Sequence, residues 1–143
     1  MGGSNKKCII DSSVAIKWLL NEEDSEIAMH LRNLYKHDLI DIIVPSHFYW
    51  EICNVMARKA SAGALRFFSE LRMSDILEVR LTNRNALMAC KLMEKYPKIS
   101  FYDASYHALA ILEKGIFVTA DQKYYETMRE EGSIILLKNY SFN

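Results

Sequence analysis

Neither sign of charge is in surplus. Eighteen Lys and Arg side chains meet eighteen Asp and Glu, so the chain lacks the global positive field of a strongly basic nucleic-acid-binding domain. Any such partner has to be met by a local patch. The best stretch is 52–69, where Arg58, Lys59 and Arg66 have no acid among them, although a solvated helix face reads equally well. Five glycines and two prolines leave no room for a long flexible linker or a low-complexity tract. Cysteine is scarce too: Cys8, Cys53 and Cys90 are odd in number, far apart and set among apolar residues, which excludes a zinc site or disulfide framework and reads as reduced core thiols of a cytoplasmic protein. No apolar run approaches the roughly eighteen residues that span a bilayer, and Lys17 breaks the best one. A Gly-x-Gly-x-x-Gly cradle is missing after the first strand pattern, which argues against a dinucleotide-binding domain.

What is present is an alternation of short β-branched runs with helical periodicity. With 143 residues the chain fits one domain. Met1–Ser4 and Asn5 read as a loose tail or tag remnant, and 6–143 as a single domain. Strands are expected at 6–10, 42–44 (closed by Pro45), 76–79, 116–119 and 134–137. Helices are expected at 12–20, 22–37, 46–60, 64–73, after Thr82 to before Pro97, at 100–113 and from 121 to about 132. The helix after Thr82 is expected to bury Ala86, Leu87, Cys90 and Met93. Strands alternating with helices predict an α/β domain of three layers around a parallel sheet, because each right-handed crossover lays its helix on a sheet face.

Four acids stand out. Asp11 closes the first strand, Asp121 follows the fourth, Asp103 lies three residues after Ser100, and Glu51 sits one turn into a helix. Asp11, Asp121 and Asp103 occupy positions where helix caps are found, and Glu51 can be a solvent-facing helical residue. If the fourth strand lies beside the first, Asp11 and Asp121 meet at the switch point of the sheet, flanked by helices that deliver Asp103 and Glu51. Clustered carboxylates oppose one another's ionisation unless a cation joins them, and Mg²⁺ or Mn²⁺ accepts such oxygens beside substrate phosphate. Ser12 and Thr119 stand next to two of the acids and can bond a ligand carboxylate or a metal water. His107, four residues after Asp103, can reach the same face or pack in the core. The aromatic groups 48–50, 101–102 and 124–125 read mostly as packing, with base stacking as the other use.

These residues resemble a family. Cys8-Ile9-Ile10-Asp11-Ser12-Ser13 and the following Val14 to Leu20 resemble the opening of PIN-domain nucleases, especially the VapC-type toxins of toxin–antitoxin modules. Trp50-Glu51-Ile52-Cys53-Asn54, Phe101-Tyr102-Asp103-Ala104 and Val118-Thr119-Ala120-Asp121 are similar to its other three acid motifs, in order. The resemblance covers Lys6 to Leu137. It implies a PIN-like α/β/α fold with a five-stranded parallel sheet ordered 3-2-1-4-5 and Mg²⁺- or Mn²⁺-dependent ribonuclease activity. Asp11, Glu51, Asp103 and Asp121 would be the catalytic and metal-holding acids. It further implies an RNA substrate, homodimers and a cognate antitoxin that occupies the active-site groove. The rival reading is a PIN-like module that binds RNA or protein without cutting. A haloacid-dehalogenase-like phosphatase would need Asp where Ser13 stands, and a phosphate receiver domain would need a second acid near the first strand.

Overall fold

In the computed structural model, residues 5–59 and 62–142 are described. Met1–Ser4 of the expected tail, and Ala60 at the expected end of the third helix, lie outside the described residues. The chain runs β1 (Lys6–Ile10), α1 (Ser12–Ala15), α2 (Ser25–Lys36), β2 (Ile40–Pro45), α3 (His47–Lys59), α4 (Ala64–Met73) and β3 (Leu77–Val79). It continues through α5 (Asn83–Lys95), α6 (Phe101–Glu113), β4 (Ile116–Thr119), α7 (Gln122–Met128) and β5 (Ile134–Leu136).

The sheet is parallel throughout, with order β3-β2-β1-β4-β5. Cys8, Ile9 and Ile10 are all buried. Successive strand residues point to opposite faces, so burial of all three requires both faces to be covered. Right-handed crossovers supply the cover: the β1-to-β3 half of the chain lays α1–α4 on one face and the remainder lays α5–α7 on the other. On the second face Phe117 of β4 stacks on Tyr106 of α6 and meets Tyr124 of α7 edge-on. The chain leaves β1 toward β2 and leaves β4 toward β5, which opens a crevice at their carboxyl ends.

Gly115 fixes the spacing at that pair. A Cβ there would lie 2.5 Å from the Lys7 carbonyl oxygen, so only glycine lets the turn after α6 press against β1. The left-handed residue that ends α6 is Lys114 (φ 56°), with the Gly115 amide closing onto the Ala110 carbonyl at 2.9 Å.

Several expectations are corrected. The first helix holds only to Ala15, then tightens into a 3₁₀ turn over Ile16–Trp18. α2 begins at Ser25 because Asp24 turns left-handed (φ 64°) and the Ser25 hydroxyl bonds Leu20 O and Glu22 N. The last helix ends at Met128, followed by a 3₁₀ turn. α5 is turned about one position from the expected face: Ala89 and Leu92 are buried, while Leu87 and Cys90 are exposed. α5 packs against α6, and Ala89 and Leu92 are the residues it buries. Cys53 is exposed as well, so only Cys8 is a core thiol. Asn5 is tied down, its amide donating to Asp38 O and Asp41 Oδ1. Arg66 pairs with Glu70 at 3.1 Å, and Arg58 and Lys59 lie in the last turn of α3, where cations suit the helix dipole. Among the described residues no helix is long and apolar enough to cross a membrane.

Candidate active site

Asp11 leaves the end of β1 with 8% of its surface exposed. It occupies the N-cap position of α1 but makes no capping bond with its side chain. Instead Thr119 donates to its Oδ2 at 2.6 Å and Ser13 donates to its Oδ1. Each hydroxyl is itself fixed from behind. Thr119 Oγ1 accepts the Asp121 amide and Ser13 Oγ accepts the Ala120 amide, both at 3.1 Å. The end of β4 therefore clamps the carboxylate at the end of β1. Burial pushes the Asp11 carboxyl up to about 6, the two hydroxyl bonds partly offset it, and Asp103 and Glu51 push it further.

Glu51 is half-buried on the second turn of α3. Burial raises its carboxyl, against the lowering effect of bonds with Tyr106 and Ser12. The Tyr106 hydroxyl donates to Glu51 Oε1. Asp103 lies in the first turn of α6, where its amide is capped by Ser100 Oγ at 3.1 Å. Its carboxyl is raised by burial first, then by Asp121 and Glu51. Asp121 is exposed and caps α7, accepting the Tyr124 amide at 3.0 Å.

The crevice thus brings Asp11, Glu51 and Asp103 within one another's fields, with Asp121 beside Asp103. Among the described residues no three His, Cys, Asp or Glu side chains close in as a ready cage for a metal ion. That donor set nevertheless suits Mg²⁺ or Mn²⁺: it is all-oxygen and acceptor-only when ionised, and burial holds Asp11, Glu51 and Asp103 above the usual carboxylate range, with repulsion adding at Asp11 and Asp103 that a cation would relieve. An ion that keeps several waters takes only one or two carboxylates directly.

His107 is elsewhere. It is wholly buried, with Nε2 at 2.7 Å from Gly132 O and Nδ1 at 3.1 Å from the Tyr124 hydroxyl. A carbonyl only accepts, so the proton sits on Nε2 and Nδ1 accepts from Tyr124. Burial keeps the ring neutral by lowering its pKa. Between two neighbours of Asp103 on α6, the one three residues on, Tyr106, reaches the crevice, and the one four residues on packs away from it.

Three residues at the site were not anticipated: Ser13, Tyr106 and His47. The first had a signal, an Asp-x-Ser turn in which a hydroxyl reaches back two residues. His47 stands at the first turn of α3, its Nε2 at 3.2 Å from Tyr102 O and its ring 4.7 Å from that of Tyr106. No local pattern marks it, since its partners are 55 and 59 residues away in sequence.

A family model described as PIN domain matches residues 8–130. No curated protein matches in sequence. Solved structures that share the fold include a toxin–antitoxin complex from Klebsiella pneumoniae (TM-score 0.68, 13% identity, 94% of this chain and 99% of that one). Another is VapC20 of Mycobacterium tuberculosis, described as a sarcin-ricin-loop-cleaving toxin (0.62, 14%, 79% and 87%). A third is VapBC2 of Rickettsia felis bound to a promoter DNA fragment (0.64, 14%, 91% and 96%).

Proposed function

The chain belongs to the PIN-domain family, and from that membership we propose that it is a divalent-metal-dependent endoribonuclease, the toxin of a toxin–antitoxin pair acting in the cytoplasm. The observation that carries the reading is the Asp11 clamp. A buried carboxylate is held by two hydroxyls at the switch point of a parallel sheet, and two further acids act on it. Such a group is poorly suited to a structural role without a cation, because each charge makes the others costlier.

In this proposal Asp11 and Asp103 hold the ion directly, and Glu51 and Asp121 complete its surroundings. When bound, Mg²⁺ or Mn²⁺ would polarise the scissile phosphate and make a water more acidic. Thr119 and Ser13 keep the Asp11 oxygens aimed, and Tyr106 keeps Glu51 from swinging into solvent. Ser12, which shares the groove wall with Glu51, adds a hydroxyl for a water or a phosphate oxygen. No covalent nucleophile takes part. The likeness in fold to a toxin–antitoxin complex supports a cognate antitoxin as partner, and a homodimer is what the family resemblance implies.

The test is cleavage of end-labelled total RNA by protein freed of any co-purified partner, with Mg²⁺, with Mn²⁺ and with chelator, beside Asp11→Asn. Chelator-sensitive cutting absent from the variant is the expected result. A PIN-like module that only binds would leave the RNA intact in every lane, and calorimetry would then find no divalent binding that depends on Asp11.

A further inference from the structure

Glu51 and Asp103 reach the crevice from opposite layers. α3 packs against α1 and α4, and α6 packs against α5, β1 and β4, so neither helix rests along the other. Shared packing therefore does not set the gap between the two acids. Among the described residues two side-chain hydrogen bonds join α3 to α6. One is the Tyr106 hydroxyl on Glu51. The other starts one turn earlier, at His47, whose Nε2 donates to the Tyr102 carbonyl at 3.2 Å. A carbonyl only accepts, so this nitrogen carries the proton.

The two ties meet at the His47 ring, which lies edge-on to Tyr106 at 4.7 Å and to Tyr102 at 5.7 Å. Tyr106 is fully buried and stacked on Phe117 of β4, so Phe117 and the histidine together fix the ring whose hydroxyl holds Glu51. Tyr102 keeps 62% of its surface in water, and the histidine bonds its backbone instead. His47 and Tyr102 line both the groove of Ser12 and Glu51 and the hollow behind it that reaches Asn85 and Leu109. An apolar side chain at 47 would fill the same space against Tyr106 and leave the carbonyl untied.

We infer that His47 is a positioning residue, a strap that holds the first turn of α3 to the first turn of α6 and so fixes the separation of Glu51 and Asp103 for a small divalent ion. The inference rests on the metal-nuclease reading for what the gap serves, and on the contacts of His47 for the strap itself. Mg²⁺ demands nearly ideal octahedral geometry at about 2.0–2.1 Å, whereas Ca²⁺ accepts more ligands, longer bonds and a flexible site. Loosening the gap thus penalises the smaller ion. The histidine acts through Tyr106 and the α6 backbone and not by contact with the ion.

The strap can be read without cleavage. Full-length protein and its His47→Ala and His47→Gln variants are compared by hydrogen exchange in the metal-free state, and by calorimetry with Mg²⁺ and with Ca²⁺. The amides of Asp103 and Ala104 are bonded to Ser100 Oγ and Ser100 O, so their exchange reports local opening at the start of α6. His47→Ala should speed that exchange severalfold and leave α5 unchanged. Mg²⁺ affinity should fall about tenfold while Ca²⁺ affinity changes by less than about threefold. His47→Gln, whose amide also donates to the Tyr102 carbonyl, should restore the protection and most of the Mg²⁺ binding. Parent-like exchange in His47→Ala, or Mg²⁺ binding that does not fall relative to Ca²⁺, overturns the proposal. If His47→Ala fails to fold, His47→Phe replaces it, keeping a ring against Tyr106 without the donor; His47→Phe that matches His47→Gln in exchange and in Mg²⁺ binding overturns the strap. Parent protein that binds no divalent ion through Asp11, with the exchange difference present, refutes the metal-nuclease reading while confirming the tie.

Discussion

The ends of β1 and β4 carry the same sequence pattern, a β-branched run, an acid and a helix start, and the structure uses them in opposite ways. Asp121 caps its helix and stands in solvent. Asp11 takes the capping position, leaves the helix amides alone and gives its oxygens to Thr119 and Ser13. The difference lies in the neighbours. β1 is central in the sheet, with β4 on one side to supply the Thr119 hydroxyl and the Ala120 amide that fixes Ser13, whereas Asp121 has only β5 beyond it, at the edge. A strand-terminal acid becomes a strained functional group when a neighbouring strand buries it, and a cap when none does.

The strongest way to break the comparison is to neutralise each acid. Asp11→Asn and Asp103→Asn should each lower metal-dependent RNA cleavage by roughly a hundredfold or more, since even indirect supports of a metal site are worth about ten- to a hundredfold. Intact cutting by Asp103→Asn would refute its assignment.

Stability should move the other way for Asp11. The folded carboxyl titrates at about 6 against 3.8 for the unconstrained group. Ionisation therefore disfavours the folded state, fully so above about 6 and not at all below 3.8. In metal-free protein Asp11→Asn should stabilise by on the order of 2–3 kcal/mol at pH 7. That gain should shrink as pH falls through 6. Denaturant melts of variant and parent at pH 7 and pH 5 measure it, and the difference between the two proteins cancels the opposing titration of buried His107.

Gly115→Ala probes the alignment that makes the clamp possible. With a Cβ 2.5 Å from Lys7 O, β4 must shift against β1, at a cost of about 1–3 kcal/mol in stability. Weaker divalent binding should accompany it, read by calorimetry. Thr119→Val removes a donor from Asp11 and an acceptor from the Asp121 amide; it should cost about 1–3 kcal/mol and weaken the metal about tenfold. Smallest and sharpest is the pair at Asp121. Asp121→Ala should lose about 1 kcal/mol of helix-cap energy, while Asp121→Ser keeps the cap and loses only the charge. Cleavage lost equally in both would assign Asp121 to the metal and not merely to α7.

Local patterns carried much of the fold. β1, α4 and β4 stand at their expected bounds, and Thr82 and Ser100 cap α5 and α6 as their hydroxyls predict. The sheet order expected from the family resemblance is the order found. Where local reading missed, a long-range contact had decided. α5 turns Ala89 and Leu92 inward, Cys53 and Cys90 sit on exposed helix faces, and of the two uses open to His107 the bonds to Tyr124 and Gly132 selected packing.

Sequence by itself determined which residues can carry charge at strand ends and helix starts, because strand alternation, helix caps and β-branched runs are properties of a few consecutive residues. Tertiary structure alone decided which acid is buried, which distant hydroxyl joins Ser13 in holding it and which rings stay in water. Those outcomes depend on groups 55 to 108 positions apart, such as Glu51 with Tyr106 and Asp11 with Thr119. Burial is what turns a carboxylate from a solvated charge into one that calls for a cation.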